Sequence, residues 1–164
     1  MKNIFVMKFG RIIAIAGVTV ILAIVMNTAC NKYDDDRPPL PPMNVTIDPN
    51  STIYQEINVV GGWMYLDETD GAYPPSRGVI VYRLSTDQFM AFERIPPYKP
   101  DSCCNETKTK CAALVVDNYY PFVMDTCTGS KYLILDGSPS SGPSNYFLLT
   151  YITEYYGDLL YIHD

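Results

Sequence analysis

The apolar residues of this chain follow two different patterns. Residues 12–26 form one run of fifteen mostly apolar residues. From about Thr52 onward, apolar residues instead come in short runs rich in β-branched and aromatic side chains, separated by Gly, Pro, Asp and Ser. Short runs of this kind are typical of strands joined by turns, and no apolar stripe of helical period and useful length appears. The pattern predicts an N-terminal targeting segment followed by one all-β domain.

The second pattern predicts nine strands in the C-terminal part of the chain. They span residues 57–66, 78–84, 88–94, 112–116, 122–124, 131–135, 147–150, 153–156 and 159–163, with a hairpin turn at Tyr156-Gly157-Asp158. Roughly 110 residues is a common single-domain size and is enough for one core. We therefore expect residues 52–164 to form a small antiparallel barrel or sandwich.

The apolar run at residues 12–26 has the flanks of a secretory signal peptide. It is preceded by three basic residues, Lys2, Lys8 and Arg11, and followed by the small residues Thr28 and Ala29. The run is also short for a membrane span. We therefore predict a signal peptide over residues 1–29.

The cleavage region, Val25-Met26-Asn27-Thr28-Ala29-Cys30, resembles the lipobox of bacterial lipoproteins. The resemblance rests on a small residue directly before a cysteine, and Asn27 departs from it because an aliphatic residue is usual there. It implies that Cys30 becomes an acylated N-terminus, and several acyl chains give stable membrane anchoring. The alternative is an ordinary secreted protein with an incidental cysteine.

Residues 30–51 have the composition of a tether. The acidic tract Asp34-Asp35-Asp36 resembles the surface-export signal of some Gram-negative lipoproteins, and the alternative is a solvated charged segment. Five prolines follow, at positions 38, 39, 41, 42 and 49. Proline favours extended polyproline II, which makes a semi-rigid spacer. The alternative for Val45-Thr46-Ile47 is an edge strand that pairs with the domain.

Together these N-terminal features predict the location of the protein. We expect an outer-membrane lipoprotein in the cell envelope of a Gram-negative bacterium, facing either the inside of the envelope or the cell surface.

The charge of the chain excludes one class of partner. Its formal net charge is −6, and cleavage after residue 29 would remove three basic residues and no acidic ones, giving −9. An acidic domain without basic clusters argues against binding nucleic acid or anionic lipid. The 14 tyrosines suit either a recognition surface or half-buried strand positions.

Three segments of the C-terminal half carry a resemblance to a known family. The segment Phe89-Met90-Ala91-Phe92-Glu93-Arg94-Ile95-Pro96-Pro97-Tyr98 is similar to the strand and first cluster loop of the Rieske [2Fe–2S] domain family. Met124-Asp125-Thr126-Cys127-Thr128-Gly129-Ser130-Lys131-Tyr132 is similar to the second cluster loop, and Leu135-Asp136-Gly137 with Ser141-Gly142-Pro143 to the Gly-Pro region beside the cluster. The resemblance spans residues 78–164 and implies a Rieske-like β-domain.

The residues at the family's four ligand positions do not suit a cluster. The resemblance puts the first cysteine and histidine on Pro96 and Tyr98, and the second pair on Asp125 and Thr128. Pro96 has no ligating atom and the others offer only oxygen, whereas iron–sulfur clusters take thiolate or imidazole. The single histidine, His163, lies beside the C-terminus. We expect no cofactor and no bound metal, with a [2Fe–2S] electron-transfer protein as the alternative.

Four cysteines follow Cys30, namely Cys103, Cys104, Cys111 and Cys127. Their spacing lacks the C-x₂₋₄-C pairs of zinc sites, and exported thiols are usually oxidised, so two disulfides are favoured over a Cys₄ metal site. Four cysteines allow three connectivities. In some Rieske proteins a disulfide joins the two cluster loops, and the resemblance puts one end of it on Cys127. The expected partner is Cys111, with Cys103 or Cys104 as alternatives.

No residue pattern predicts a catalytic site. His163 is the only imidazole base, and a histidine at the end of the last strand is usually exposed. Asp67, Glu68 and Asp70 suit a solvated turn better than a calcium loop. We therefore expect a binding or structural module with an unknown envelope protein as partner. Besides electron transfer, a thiol redox protein using Cys103-Cys104 is the other alternative, although the chain has no C-x-x-C motif.

Overall fold

The structure is a computed structural model and describes residues 37–164. The predicted signal peptide, Cys30 and the acidic tract all lie outside the described residues and stay predictions. Within residues 37–164 the two helices are short 3₁₀ segments, Thr52–Ile57 and Glu68–Asp70, and none has the length and apolarity of a membrane span.

In the part of the chain that the structure describes, ten strands form two antiparallel sheets. They are β1 (Asn44–Ile47), β2 (Trp63–Leu66), β3 (Val79–Arg83), β4 (Phe89–Glu93), β5 (Val115–Val116), β6 (Phe122–Met124), β7 (Lys131–Leu133), β8 (Pro139–Ser141), β9 (Thr150–Tyr156) and β10 (Leu159–His163). The larger sheet has the order β1-β10-β9-β4-β3-β2 and curls into a half-barrel, and the smaller has the order β5-β6-β7-β8. The predicted all-β fold class is confirmed, and the arrangement is consistent with a Rieske-like fold.

The small sheet is an insertion between two neighbouring strands of the large one. β4 and β9 pair side by side, with Ala91 opposite Tyr151, yet the whole of β5–β8 lies between them in the chain. Two connections matter for the site. We call residues 94–114, between β4 and β5, the first loop, and residues 125–130, between β6 and β7, the second loop. The first loop thus leads from the large sheet to the small one, and the second loop connects two strands of the small sheet.

Strand β3 is buried on both faces and separates two cores. Val79 and Val81 pack in the core that β1 and β10 share, while Ile80 and Tyr82 pack in the core that the small sheet covers. A continuous apolar run is what a strand covered on both faces requires. In β1, by contrast, buried Val45 and Ile47 alternate with exposed residues, as expected for a strand with one covered face.

The observed strands differ from the predicted ones in several places, and β5 and β7 are shorter than predicted. β1 lies in the segment assigned to the tether and pairs with β10 at the edge of the large sheet, which confirms the alternative given for Val45-Thr46-Ile47. The first predicted strand begins only at Trp63, because the 3₁₀ helix extends to Ile57 and a turn follows it, in which the Gly62 amide donates to the Val59 carbonyl. β9 begins only at Thr150 and is one strand rather than two, since its first two residues pair with β4 and the rest with β10. β8 was missed because Pro and Ser are depleted in strands, and its pairing with β7 depends on the tertiary fold.

Candidate functional site

The two loops are joined by a disulfide. Cys103 of the first loop bonds Cys127 of the second, with the Cα atoms 5.8 Å apart, and Cys104 bonds Cys111 within the first loop. The expectation that Cys111 pairs with Cys127 is therefore wrong, and the alternative partner Cys103 is the observed one. The reason is local: a turn in which the Asn105 amide donates to the Lys110 carbonyl at 2.8 Å brings Cys111 opposite Cys104.

The second loop closes on the carboxyl group of Asp125. This residue is 1% exposed. Its Oδ1 accepts from the Cys127 amide at 2.9 Å, and its Oδ2 accepts from the Thr128 hydroxyl at 2.6 Å. Thr128 Oγ1 also lies 2.9 Å from Ser130 Oγ. Asp125 and Thr128, two of the four predicted ligand positions, are thus engaged with each other and with the loop backbone.

The other two ligand positions, Pro96 and Tyr98, lie in the first loop. Pro96 is buried, and Tyr98 is half-buried with the Lys99 ammonium 5.2 Å from its ring centroid. No hydrogen bond between described residues joins Tyr98 to the second loop. In the described part of the chain, hydrogen bonds therefore link Asp125 to Thr128 but link neither of them to Tyr98.

Arg77, to which no sequence pattern pointed, links the first loop to the body of the domain. It comes just before β3, and its Nη1 donates to the Pro100 carbonyl at 2.9 Å and to the Ala112 carbonyl at 2.8 Å. Its Nη2 lies 3.6 Å from Asp101 Oδ1 and 3.8 Å from Cys104 Sγ. One guanidinium group thus holds Pro100 and Ala112, which lie at the two ends of the outer part of the first loop.

The charge of Arg77 is balanced by several carboxyl groups. Burial lowers the pKa of Arg77, while three carboxylates act in the opposite direction: Asp101, Glu93 and Asp125. They come from the first loop, β4 and the second loop, so that the guanidinium lies in the field of carboxylates from both loops. A positive charge before β3 is the one sequence signal that could have indicated this residue.

Glu93, at the end of β4, is fully buried beneath Arg77. Its Oε1 accepts from the backbone amides of Arg77 at 2.9 Å and Ile95 at 3.1 Å, and its Oε2 from the hydroxyls of Ser76 at 2.6 Å and Tyr151 at 2.8 Å. Burial, and then the neighbouring Glu93 carboxylate, raise the pKa of Tyr151. A buried carboxyl group with four donors fixes the residues before β3 and after β4.

The Gly-Pro segment approaches the second loop through a glycine that has no room for a side chain. Gly142 has a φ of +92°, and a Cβ atom there would meet Ser130 Cα at 2.6 Å and Gly129 O at 2.8 Å. Both obstacles are backbone atoms. The close approach therefore depends on glycine at this position.

We expect Gly142→Ala to destabilise the domain by roughly 2–4 kcal/mol, because strain at positive φ adds to a backbone clash. Urea unfolding followed by circular dichroism measures this. Gly129→Ala is the matched control, since Gly129 also has positive φ but a Cβ atom there would have nothing within 4 Å. Equal losses in the two variants would show that the close approach contributes nothing.

The residues present do not fit a Rieske cluster. The positions that the resemblance assigns to the two thiolates hold Pro96 and Asp125, and Cys127 is bonded to Cys103. The single histidine, His163, lies in β10 opposite Asn44 and Ile152, in neither loop. A cluster needs thiolate and imidazole donors, and this donor set supplies oxygen only.

Two other predicted candidates have local structural roles. Asp67 and Asp70 form a reciprocal capping box around the second 3₁₀ helix: Asp67 Oδ1 accepts from the Thr69 amide, and Asp70 Oδ2 from the Asp67 amide. His163 Nδ1 lies 3.2 Å from the Asp164 carbonyl oxygen. The carboxyl groups of Asp67 and Asp70 therefore cap a helix, and this structural role explains their presence without a bound ligand.

Comparison with known proteins finds distant similarity among solved structures. The chain matches no protein-family model and no curated protein. It is similar to a solved chain described as a complex of reduced oxygenase and oxidized ferredoxin in carbazole 1,9a-dioxygenase, with 17% identity, 74% of this chain and 92% of that chain covered, and a TM-score of 0.41.

Proposed function

We propose that this protein is a lipid-anchored lipoprotein of the Gram-negative cell envelope, whose cluster-free Rieske-like domain acts as a binding or structural module. In this proposal Cys30 carries the anchor and the proline-rich segment holds the domain away from the membrane. The partner is an envelope protein. The runner-up, [2Fe–2S] electron transfer, has no observation that favours it.

The observation that carries the cluster-free part is how Asp125, one of the four candidate ligand positions, is engaged. Its two carboxyl oxygens accept from the Cys127 amide and the Thr128 hydroxyl within its own loop. Cys127 itself is bonded to Cys103, so its sulfur is not a free thiolate. A cluster requires thiolate and imidazole donors, and the candidate positions offer neither.

We expect the protein to contain no stoichiometric iron or acid-labile sulfide after anaerobic purification, because its four candidate positions lack thiolate and imidazole. Iron and sulfide assays, with an absorbance spectrum before and after dithionite, measure this. One cluster per chain with a reducible visible spectrum would refute the cluster-free proposal and favour electron transfer.

We expect Cys30→Ala to abolish lipid attachment, because lipid modification requires the cysteine thiol. The variant should appear as an uncleaved or misprocessed precursor, and mass spectrometry of intact protein from membranes measures this. Cys111→Ser controls for loss of a cysteine as such and should be processed normally. If Cys30→Ala yielded the same mature mass as the wild type, apart from the substitution, the anchoring proposal would be wrong.

A further inference from the structure

The disulfide Cys104–Cys111 closes an exposed turn at the outer end of the first loop. Residues 105–110 are all exposed. The base of the loop is held independently, by the bonds from Arg77 to the carbonyls of Pro100 and Ala112 and by the Cys103–Cys127 disulfide. Opening the outer bond therefore leaves the contacts at the base of the loop in place.

The two sulfur atoms of this bond have different surroundings. Cys104 Sγ lies 3.8 Å from Arg77 Nη2, and a neighbouring positive charge stabilises a thiolate. Asp101 Oδ1 is also 3.8 Å from this sulfur, but its carboxylate is paired with both Arg77 and Lys108. Cys111 instead lines an open cleft of about 660 Å³, whose wall includes Pro75 and Lys108, and Cys104 is not part of that lining. One sulfur is thus placed to be approached from the cleft, and the other is placed to leave as an anion.

We propose that Cys104–Cys111 is a redox-active disulfide that accepts two electrons from a dithiol, with Cys111 as the attacked sulfur and Cys104 as the leaving group. This activity goes beyond the binding or structural role and does not depend on it. The substrate class is a dithiol, either a small molecule or a protein with two neighbouring cysteines.

The reaction balances as a thiol–disulfide exchange. A thiolate of the dithiol attacks Cys111 Sγ, forming a mixed disulfide while the bond to Cys104 breaks and Cys104 leaves as a thiolate beside Arg77. The second thiol of the reductant, after losing its proton, attacks the mixed disulfide and releases Cys111. The dithiol is oxidised to a disulfide, and Cys104 and Cys111 are reduced.

The test follows both disulfides of the full-length protein during reduction. The protein is exposed to dithiothreitol, quenched with an alkylating agent at timed intervals, and the cysteine peptides are quantified by mass spectrometry. We expect Cys104 and Cys111 to become alkylated on the order of tenfold faster than Cys103 and Cys127, with the circular dichroism spectrum unchanged. Reduction of both bonds at one rate, or only as the domain unfolds, would overturn the proposal.

Two charge variants test which sulfur leaves. Arg77→Gln should slow reduction of the outer bond by roughly threefold to tenfold, because the Cys104 thiolate loses its cation. Asp101→Asn should instead speed it by roughly twofold to fivefold, because Asp101 Oδ1 lies 3.8 Å from Cys104 Sγ and repels the developing charge. Asp101→Asn leaves the bonds from Arg77 to the loop backbone intact, so it remains informative if Arg77→Gln fails to fold.

Lys99→Gln is the matched control, because it removes one positive charge from the same loop but contacts neither disulfide. Its rate should equal that of the wild type. Equal rates in all four proteins, or a change of the same sign in Arg77→Gln and Asp101→Asn, would contradict the assignment of Cys104 as the leaving group.

Discussion

Cys127→Ser is expected to lower the free energy of unfolding by roughly 2–5 kcal/mol, as removal of a native disulfide commonly does. The bond joins positions separated by 24 residues and is the covalent link between the two loops. In the chain-entropy treatment a loop of this length corresponds to roughly 3.4 kcal/mol. Urea and thermal unfolding, followed by circular dichroism, measure the loss. The freed thiol should be Cys103, identified by alkylation of the folded variant.

Two further variants separate the contribution of the clamp from that of a cysteine as such. Cys103→Ser should lose about as much stability as Cys127→Ser, and the double variant only slightly more, because both remove one bond. Cys111→Ser opens a bond between positions separated by only 7 residues, so its loss should be smaller by about 1 kcal/mol. Two results would contradict the observed pairing. One is alkylation of Cys111 in folded Cys127→Ser without prior thiol–disulfide exchange. The other is a loss of stability in the double variant that equals the sum of the two single losses.

Glu93→Leu is expected to cost roughly 4 kcal/mol or more, because it leaves four donors without an acceptor in a fully buried site. Two of these donors are the backbone amides of Arg77 and Ile95, which cannot turn away. Chemical unfolding of the purified variant measures the loss, and failure to accumulate folded protein is its extreme form.

Two milder variants, Glu93→Gln and Tyr151→Phe, should lower the free energy of unfolding by less than Glu93→Leu does. Glutamine keeps an oxygen for the two amides and places its NH₂ group toward the hydroxyls of Ser76 and Tyr151, which can reorient as acceptors, so we expect a loss of about 2 kcal/mol. Tyr151→Phe removes one donor of four and should cost about 1–2 kcal/mol. A Glu93→Leu variant as stable as Tyr151→Phe would show that the carboxyl group is not what fixes this region.

Features encoded by neighbouring residues were predictable from the sequence alone. The apolar run of β3 and the β9–β10 hairpin around Gly157-Asp158 were placed correctly, because strand and turn preferences act between residues close in the chain. The cysteine count and compartment likewise predicted two disulfides. The resemblance to the Rieske family marks positions 96, 98, 125 and 128 as its ligand positions, and the sequence shows that no cysteine or histidine stands at any of them.

The tertiary structure decided the features that depend on contacts distant in sequence. Which cysteine reaches Cys127 depends on a turn that draws Cys111 to Cys104, and no spacing rule distinguishes the three connectivities. The link from Arg77 to Ala112 spans 35 residues, and that from Glu93 to Tyr151 spans 58. A half-buried arginine or a buried glutamate has no local signature, because its free energy depends on the partners that the fold brings to it. The sequence thus determines the strands and the chemistry available, while the packing of the inserted small sheet against the large one determines which of those groups meet.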